Sequence, residues 1–216
     1  MLRCHLPRSL RPCPTPDQPV LVLAPYRATE RCRPGPGRRG VAEAALTLRT
    51  AGPADAADAA AFHVRIWRET YAALAPADAV AALDEARRLP QWQEALSGAD
   101  PRRGTLLAER DGAIVGLVSH GPPGSAVYGA LGEVKHLYVC PSCRGSGLGR
   151  RLMAHAFRAL AAAGYPGAGL AVVRGNAGAR AFYRALGGRE ARAFTDPGPL
   201  WKSDNILVVW EPMPAG

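Results

Sequence analysis

Hydrophobic positions become regular only from about Ala45 onward, and from there two spacings alternate along the chain. Leu46-Thr-Leu-Arg49 has the alternation of a strand. Pro53-Ala-Asp-Ala-Ala-Asp58 then opens a helix, with acids in the first turn where the helix dipole favours them. Phe62, Ile66 and Trp67 share one buried face of its continuation. A second helical stretch covers residues 77–96 and is expected to break at Pro90, which has no N–H to donate. Residues 105–110 and 113–119 read as a hairpin, because the Asp111-Gly112 between them suits a two-residue turn. The pattern continues with a strand at 133–139, a Gly-rich turn, a helix at 148–163 and a strand at 169–173. A short helix at 177–186 is stopped by Gly187-Gly188, and a last strand contains Ile206 to Trp210. Strands alternating with helices predict an α/β layer, and the early hairpin makes the sheet mixed.

Residues 1–44 carry no such pattern. They hold eight of the twenty prolines and the run Arg31-Cys-Arg-Pro-Gly-Pro-Gly-Arg-Arg-Gly40. Missing donors and high backbone entropy predict a disordered extension at 1–44, ahead of one folded domain at 45–216. Three readings of the extension stay open: an Arg-rich targeting peptide, a nucleic-acid arm, or a natural start near Val41.

Charge sharpens the division. Eight arginines against three acids (Asp17, Glu30 and Glu43) give the extension +5 of the chain's +9. The folded part is only mildly basic, which suits a small anionic ligand at least as well as a nucleic acid. No apolar run approaches the ~18 residues of a membrane-spanning helix, so no membrane partner is expected. Five cysteines are an odd number for a disulfide framework, and a reducing cytoplasm is the expected setting.

The segment richest in chemistry is Leu137-Tyr-Val-Cys-Pro-Ser-Cys-Arg-Gly-Ser-Gly-Leu-Gly-Arg-Arg151. It leaves a strand and opens a helix. Gly145, Gly147 and Gly149 let backbone approach a ligand, and a helix N-terminus offers unpaired N–H groups and a positive dipole end. Arg144, Arg150 and Arg151 add charge, so a pyrophosphate fits. A nucleoside-triphosphate loop would need Gly-Lys-Ser/Thr, which is absent, and a dinucleotide fingerprint belongs after a first strand rather than a fourth. Cys140 and Cys143 form a C-x-x-C, but nothing in the spacing of other Cys or His supplies further zinc ligands, so no metal is expected.

The segment resembles the acetyl-CoA site of the GNAT N-acetyltransferase superfamily, whose Arg/Gln-x-x-Gly-x-Gly/Ala pattern is met by Arg144-Gly-Ser-Gly147-Leu-Gly149. A second signature follows in order: Asn176, then Tyr183 seven residues later within Ala-Phe-Tyr, then Leu-Gly. Ile66-Trp-Arg-Glu-Thr-Tyr71 with Pro76 is similar to the first helices of one bacterial branch, so the likeness covers residues 46–210. It implies a GNAT fold with a mixed central sheet of about six to seven strands and helices on both faces. It implies an enzyme that moves the acetyl group of acetyl-CoA to a primary amine of a small molecule or peptide. Leu137, Tyr138, Val139, Arg144, Gly145, Ser146, Gly147, Leu148, Gly149, Arg150, Asn176 and Tyr183 would bind the cofactor. Backbone of Leu137 and Val139 would meet pantetheine and thioester oxygen.

The resemblance places a strand-borne base at Glu133 and a general acid at Tyr183. Glu69 and His63 are the other candidate bases, and Tyr183 can also be read as a packed aromatic beside Phe182. Arg180 either approaches the CoA phosphates or is solvated. Trp67, Tyr71 and Trp201, with the loop at 197–205, would line the acceptor pocket. Relatives often have Gly-Phe where this chain has Gly187-Gly188, which is expected to loosen the following turn. Dimers are common in the family, so a homodimer is the suggested state. Two other readings stay open: an acyl-CoA-binding module without catalysis, and a nucleic-acid binder acting through the Arg-rich extension.

Overall fold

The computed structural model describes residues 45–214. The expected extension, with its targeting, nucleic-acid and start-site readings, lies outside the described residues. Within them, seven strands form one sheet in the order β1-β2-β3-β4-β5-β7-β6. They are β1 (Thr47–Thr50), β2 (Gly104–Arg110), β3 (Ala113–Gly121), β4 (Gly132–Val139), β5 (Ala168–Val173), β6 (Arg189–Asp196) and β7 (Ser203–Trp210). Neighbours are antiparallel except β4 and β5, which run parallel. The helices are α1 (Ala56–Tyr71), α2 (Ala77–Ala82), α3 (Glu85–Ala95), α4 (Leu148–Ala162) and α5 (Ala177–Ala185).

Helices cover both faces. A Cβ on Gly116 of β3 would come within 3.1 Å of Leu148 and 3.2 Å of Leu152, which puts α4 on that face. On the opposite face His136 and Tyr138 of β4 meet His63 of α1, and His136 also meets Trp92 of α3. Leu107, Leu117, Val118, Leu152, Met153 and Leu160 are fully buried between the layers. The mixed α/β sheet expected from the pattern is therefore the fold. Among the described residues no helix is long and apolar enough to cross a membrane.

The Asp111-Gly112 hairpin forms as read. Both residues have positive φ, 53° and 71°, which is the two-residue turn whose twist matches the flanking strands. Three details differ from the sequence reading. The helical stretch at 77–96 breaks at Leu83-Asp84, not at Pro90. Asp84 caps α3 by accepting the Arg87 N–H at 2.7 Å, and Arg68 of α1 donates to the Leu83 carbonyl that the break leaves free. Pro90 stays inside α3, where it removes only the bond to Ala86, while the cap and buried Trp92 hold the helix.

The second difference is β6, a strand the pattern does not announce. It is an edge strand with mostly exposed residues, so it lacks the strong apolar alternation that marks β7. The third is the turn at Gly187-Gly188, which is tight rather than loose. The Gly188 N–H donates to the Tyr183 carbonyl at 2.9 Å, and a Cβ there would lie 2.7 Å from both Trp210 and Val208.

Candidate active site

β4 and β5 pair only at their first residues, Gly132 with Ala168 and Glu133 with Gly169. Beyond Glu133 the two strands separate. The Cys140 N–H donates to Val115 of β3, and strand alternation then turns the backbone of Leu137 and Val139 away from β3, toward the gap. The Val139 carbonyl accepts Arg144 Nε at 3.3 Å on that side. A cavity of about 650 Å³ fills the gap, bounded by β4, β5, α5, the end of α1 and the Gly-rich turn.

The turn is built for backbone exposure. A 3-10 turn at Pro141–Cys143 leads into Gly145 and Gly147, both in the left-handed region at φ 76° and 82°. Gly147 caps α4 without any side-chain hydrogen bond, so the first N–H groups of α4 keep no internal partner. A Cβ on Gly147 would meet nothing within 4 Å, because the space beside it is the cavity. Gly149 is a glycine for a different reason: Phe182 of α5 would lie 3.1 Å from its Cβ. Arg144 and Arg150 stand at the same end of the cavity, and α4 has no acid in its first turn.

Of the cofactor residues named from the sequence, Leu137, Tyr138, Val139, Arg144, Gly145, Gly147, Gly149, Arg150, Asn176 and Tyr183 line this one cavity. Ser146 and Leu148 do not. Ser146 Oγ donates to the Cys143 carbonyl at 2.7 Å and stiffens the loop, while the Leu148 side chain is buried in the core. Asn176 caps α5 by accepting the Ala179 N–H at 3.1 Å and also hydrogen-bonds Tyr71. Tyr183 is buried against Trp210, and burial first, with Tyr71 second, pushes its phenol well above the usual range. It stays protonated at neutral pH. Arg180 leaves the cavity to others: its guanidinium grips Glu190 of β6 through two bonds of 2.9 Å.

Glu133 lies where β4 and β5 begin to part, and it lines a second cavity of about 250 Å³ rather than the first. Its Oε2 accepts Lys135 Nζ at 2.6 Å and the Gly124 N–H at 2.8 Å. Trp67, Tyr71 and Trp201 line this second space, with ring centroids 5.1 to 5.8 Å apart. The loop expected there contributes Gly198, Pro199 and Leu200, and Arg87 of α3 donates to the Pro199 carbonyl. Tyr71 and Ala171 belong to the walls of both cavities, so the two adjoin at that point.

The other two candidate bases stand elsewhere. Glu69 is exposed on α1 and lines neither cavity. His63 is buried, with Nε2 3.3 Å from the Tyr138 hydroxyl, and burial lowers its pKa far below that of a free imidazole. Cys140 and Cys143 are both buried, Cys143 is a free thiol, and Cys143 touches the first cavity. Among the described residues no group of three or more His, Cys, Asp or Glu is gathered as a metal site. Arg88, Lys135 and Asp196 of the second cavity carry no sequence motif. Their place depends on how α3 and the β6–β7 loop pack, which periodicity does not encode.

A model of the Acetyltransferase (GNAT) family matches residues 65–187, more than half of the chain. Over 95 residues the chain is 40% identical to the mycothiol acetyltransferase of Frankia casuarinae, a stretch covering 41% of this chain and 27% of that protein. Over 110 residues it is 30% identical to the uncharacterized N-acetyltransferase YuaI of Bacillus subtilis, covering 50% of this chain and 61% of that one. The matched part thus spans less than two thirds of either relative. The PaiA N-acetyltransferase of Thermoplasma acidophilum, solved in complex with coenzyme A, shares the fold. Its TM-score is 0.60 at 17% identity, over 77% of this chain and 99% of that one. With the family's two signatures meeting on a single cavity, the chain belongs to the GNAT family of acetyltransferases.

Proposed function

We propose that this chain transfers the acetyl group of acetyl-CoA to a primary amine of a small molecule or peptide. The observation that carries the reading is the cavity between the parted β4 and β5, which ends beside Arg144 and Arg150 on the N-terminus of α4, where no side chain bonds the first N–H groups. That end suits a pyrophosphate, because the N–H groups, the dipole and the guanidinium groups all favour negative charge. The apolar length between Leu137 and Val172 suits a pantetheine arm. The coenzyme A bound to PaiA is consistent with this choice of ligand.

In this reading acetyl-CoA supplies an activated acyl group, and the protein manages protons and charge. The acceptor ammonium has no lone pair, so Glu133 takes its proton, through water where the carboxylate does not reach. The amine nitrogen then bonds to the acyl carbon as the carbon–sulfur bond breaks. The N–H groups of Leu137 and Val139 donate to the carbonyl oxygen as negative charge builds there. Tyr183, kept protonated by its surroundings, donates its phenolic proton to the departing sulfur and is restored by the proton that the nitrogen sheds as it becomes an amide. The free thiol of Cys143 fits a reducing, cytoplasmic setting.

The test is release of free coenzyme A thiol from acetyl-CoA by the full chain, with and without a panel of primary amines. Amine-dependent release that saturates supports the reading. Binding of acetyl-CoA with no release on any amine would leave a cofactor-binding module instead.

A further inference from the structure

Arg88 of α3 is the cation of the second cavity that no carboxylate pairs among the described residues. It lines that cavity half-buried, and among the described residues it has no carboxylate partner. One N–H goes to the neutral side chain of Gln91, and Nε is buried without an acceptor. The titratable groups that act on it bring no negative charge. Arg87 is itself a cation, and burial keeps Tyr138 protonated and His63 and His136 neutral. By contrast Glu133 and Lys135 satisfy each other across 2.6 Å, and Asp196 accepts the Gly198 N–H at 2.9 Å. Holding a guanidinium partly out of water without an anion is unfavourable, and the fork of N–H groups matches a planar carboxylate.

We infer that the acceptor is an amino-acid-like zwitterion whose carboxylate is held by Arg88 while its amine meets the acetyl group beside Tyr71. This inference rests on the acetyl-transfer reading. The amine end belongs at Tyr71 because that residue and Ala171 form the wall common to both cavities. The faces of Trp67, Tyr71 and Trp201 attract an ammonium on its way there. The size agrees: about 250 Å³ is below the ~300–1,000 Å³ of drug-sized sites, so the enclosed part of the acceptor is small.

The experiment compares the common amino acids with their carboxamides and decarboxylated amines, reading thiol release from acetyl-CoA by the full chain. At least one amino acid should exceed its carboxamide by about 10–100-fold in kcat/KM, mostly through KM, as expected for a lost charge-assisted bidentate pair. The Arg88→Gln variant should lose that preference while keeping the wild-type Kd for acetyl-CoA and its activity on the carboxamide. Carboxamides or plain amines used as well as amino acids would overturn the inference and leave acetyl transfer standing. So would Arg88→Gln retaining the preference, or acetyl-CoA binding with no turnover of any amino acid. Absence of acetyl-CoA binding itself would instead remove the acetyl-transfer reading beneath it.

Discussion

Replacing Gly147 with valine is expected to weaken acetyl-CoA binding by roughly a hundredfold or more. Two effects combine. The residue sits at φ 82°, where a side chain strains the backbone, so the turn relaxes and its N–H groups lose their aim. The new methyl groups also enter open space that belongs to the cavity rather than to protein. Loss of two charge-assisted hydrogen bonds at about 1.5 kcal/mol each amounts to about 3 kcal/mol, or roughly a hundredfold in Kd. Gly98→Val is the control. Gly98 has a similar φ of 75° and equally open surroundings, but it does not line the cavity. Titration calorimetry should show wild-type affinity in that variant, even if both valines lower the melting temperature. Equal loss of binding in the two would mean that strain alone is felt and that the α4 turn is not the phosphate site.

Tyr183→Phe and Glu133→Gln should separate the acid from the base. Each is expected to reduce kcat by about 10²–10⁴, the usual range for removing a general acid or base, with acetyl-CoA affinity nearly unchanged. Their pH profiles should differ. Without Glu133 the reaction depends on amine already deprotonated in solution, so the variant's rate should climb about tenfold per pH unit toward the amine's own pKa near ~10. Tyr183→Phe should keep the wild-type pH profile at a lower plateau. A Glu133→Gln enzyme with wild-type rate and profile would remove Glu133 as the base. Its ion pair with Lys135 would then be structural.

The elements legible in the sequence are those whose signals are local. The Asp111-Gly112 turn, the stop at Gly187-Gly188 and the glycines that open α4 each reflect a backbone demand written in one or two residues. The two cofactor signatures were legible as an ordered pair, and the fold brings both to one cavity although they lie on separate helices. What was not legible depends on tertiary packing. Pro90 reads as a breaker, yet Asp84 and Arg68 set the break elsewhere, and Arg68 reaches it from another helix. β6 is hidden because an exposed edge strand needs little apolar patterning. The side chains of Ser146 and Leu148 turn to a loop bond and to the core, so what these motif residues offer the turn is their backbone. Arg88 looks like one of two arginines on a polar helix, and only the approach of α3 to β4 and to the 197–202 loop gives it a cavity to face.

Thermal unfolding of the full chain, with and without acetyl-CoA, tests whether the cavity between β4 and β5 is a coenzyme A site. A ligand present at about 100 times its Kd stabilises the native state by ~2.7 kcal/mol, which for a chain of this size is a rise of roughly 5–11 °C. A rise of that order with acetyl-CoA, and with coenzyme A itself, is the expected result. An unchanged melting temperature with both ligands at millimolar concentration would contradict the assignment of the cavity.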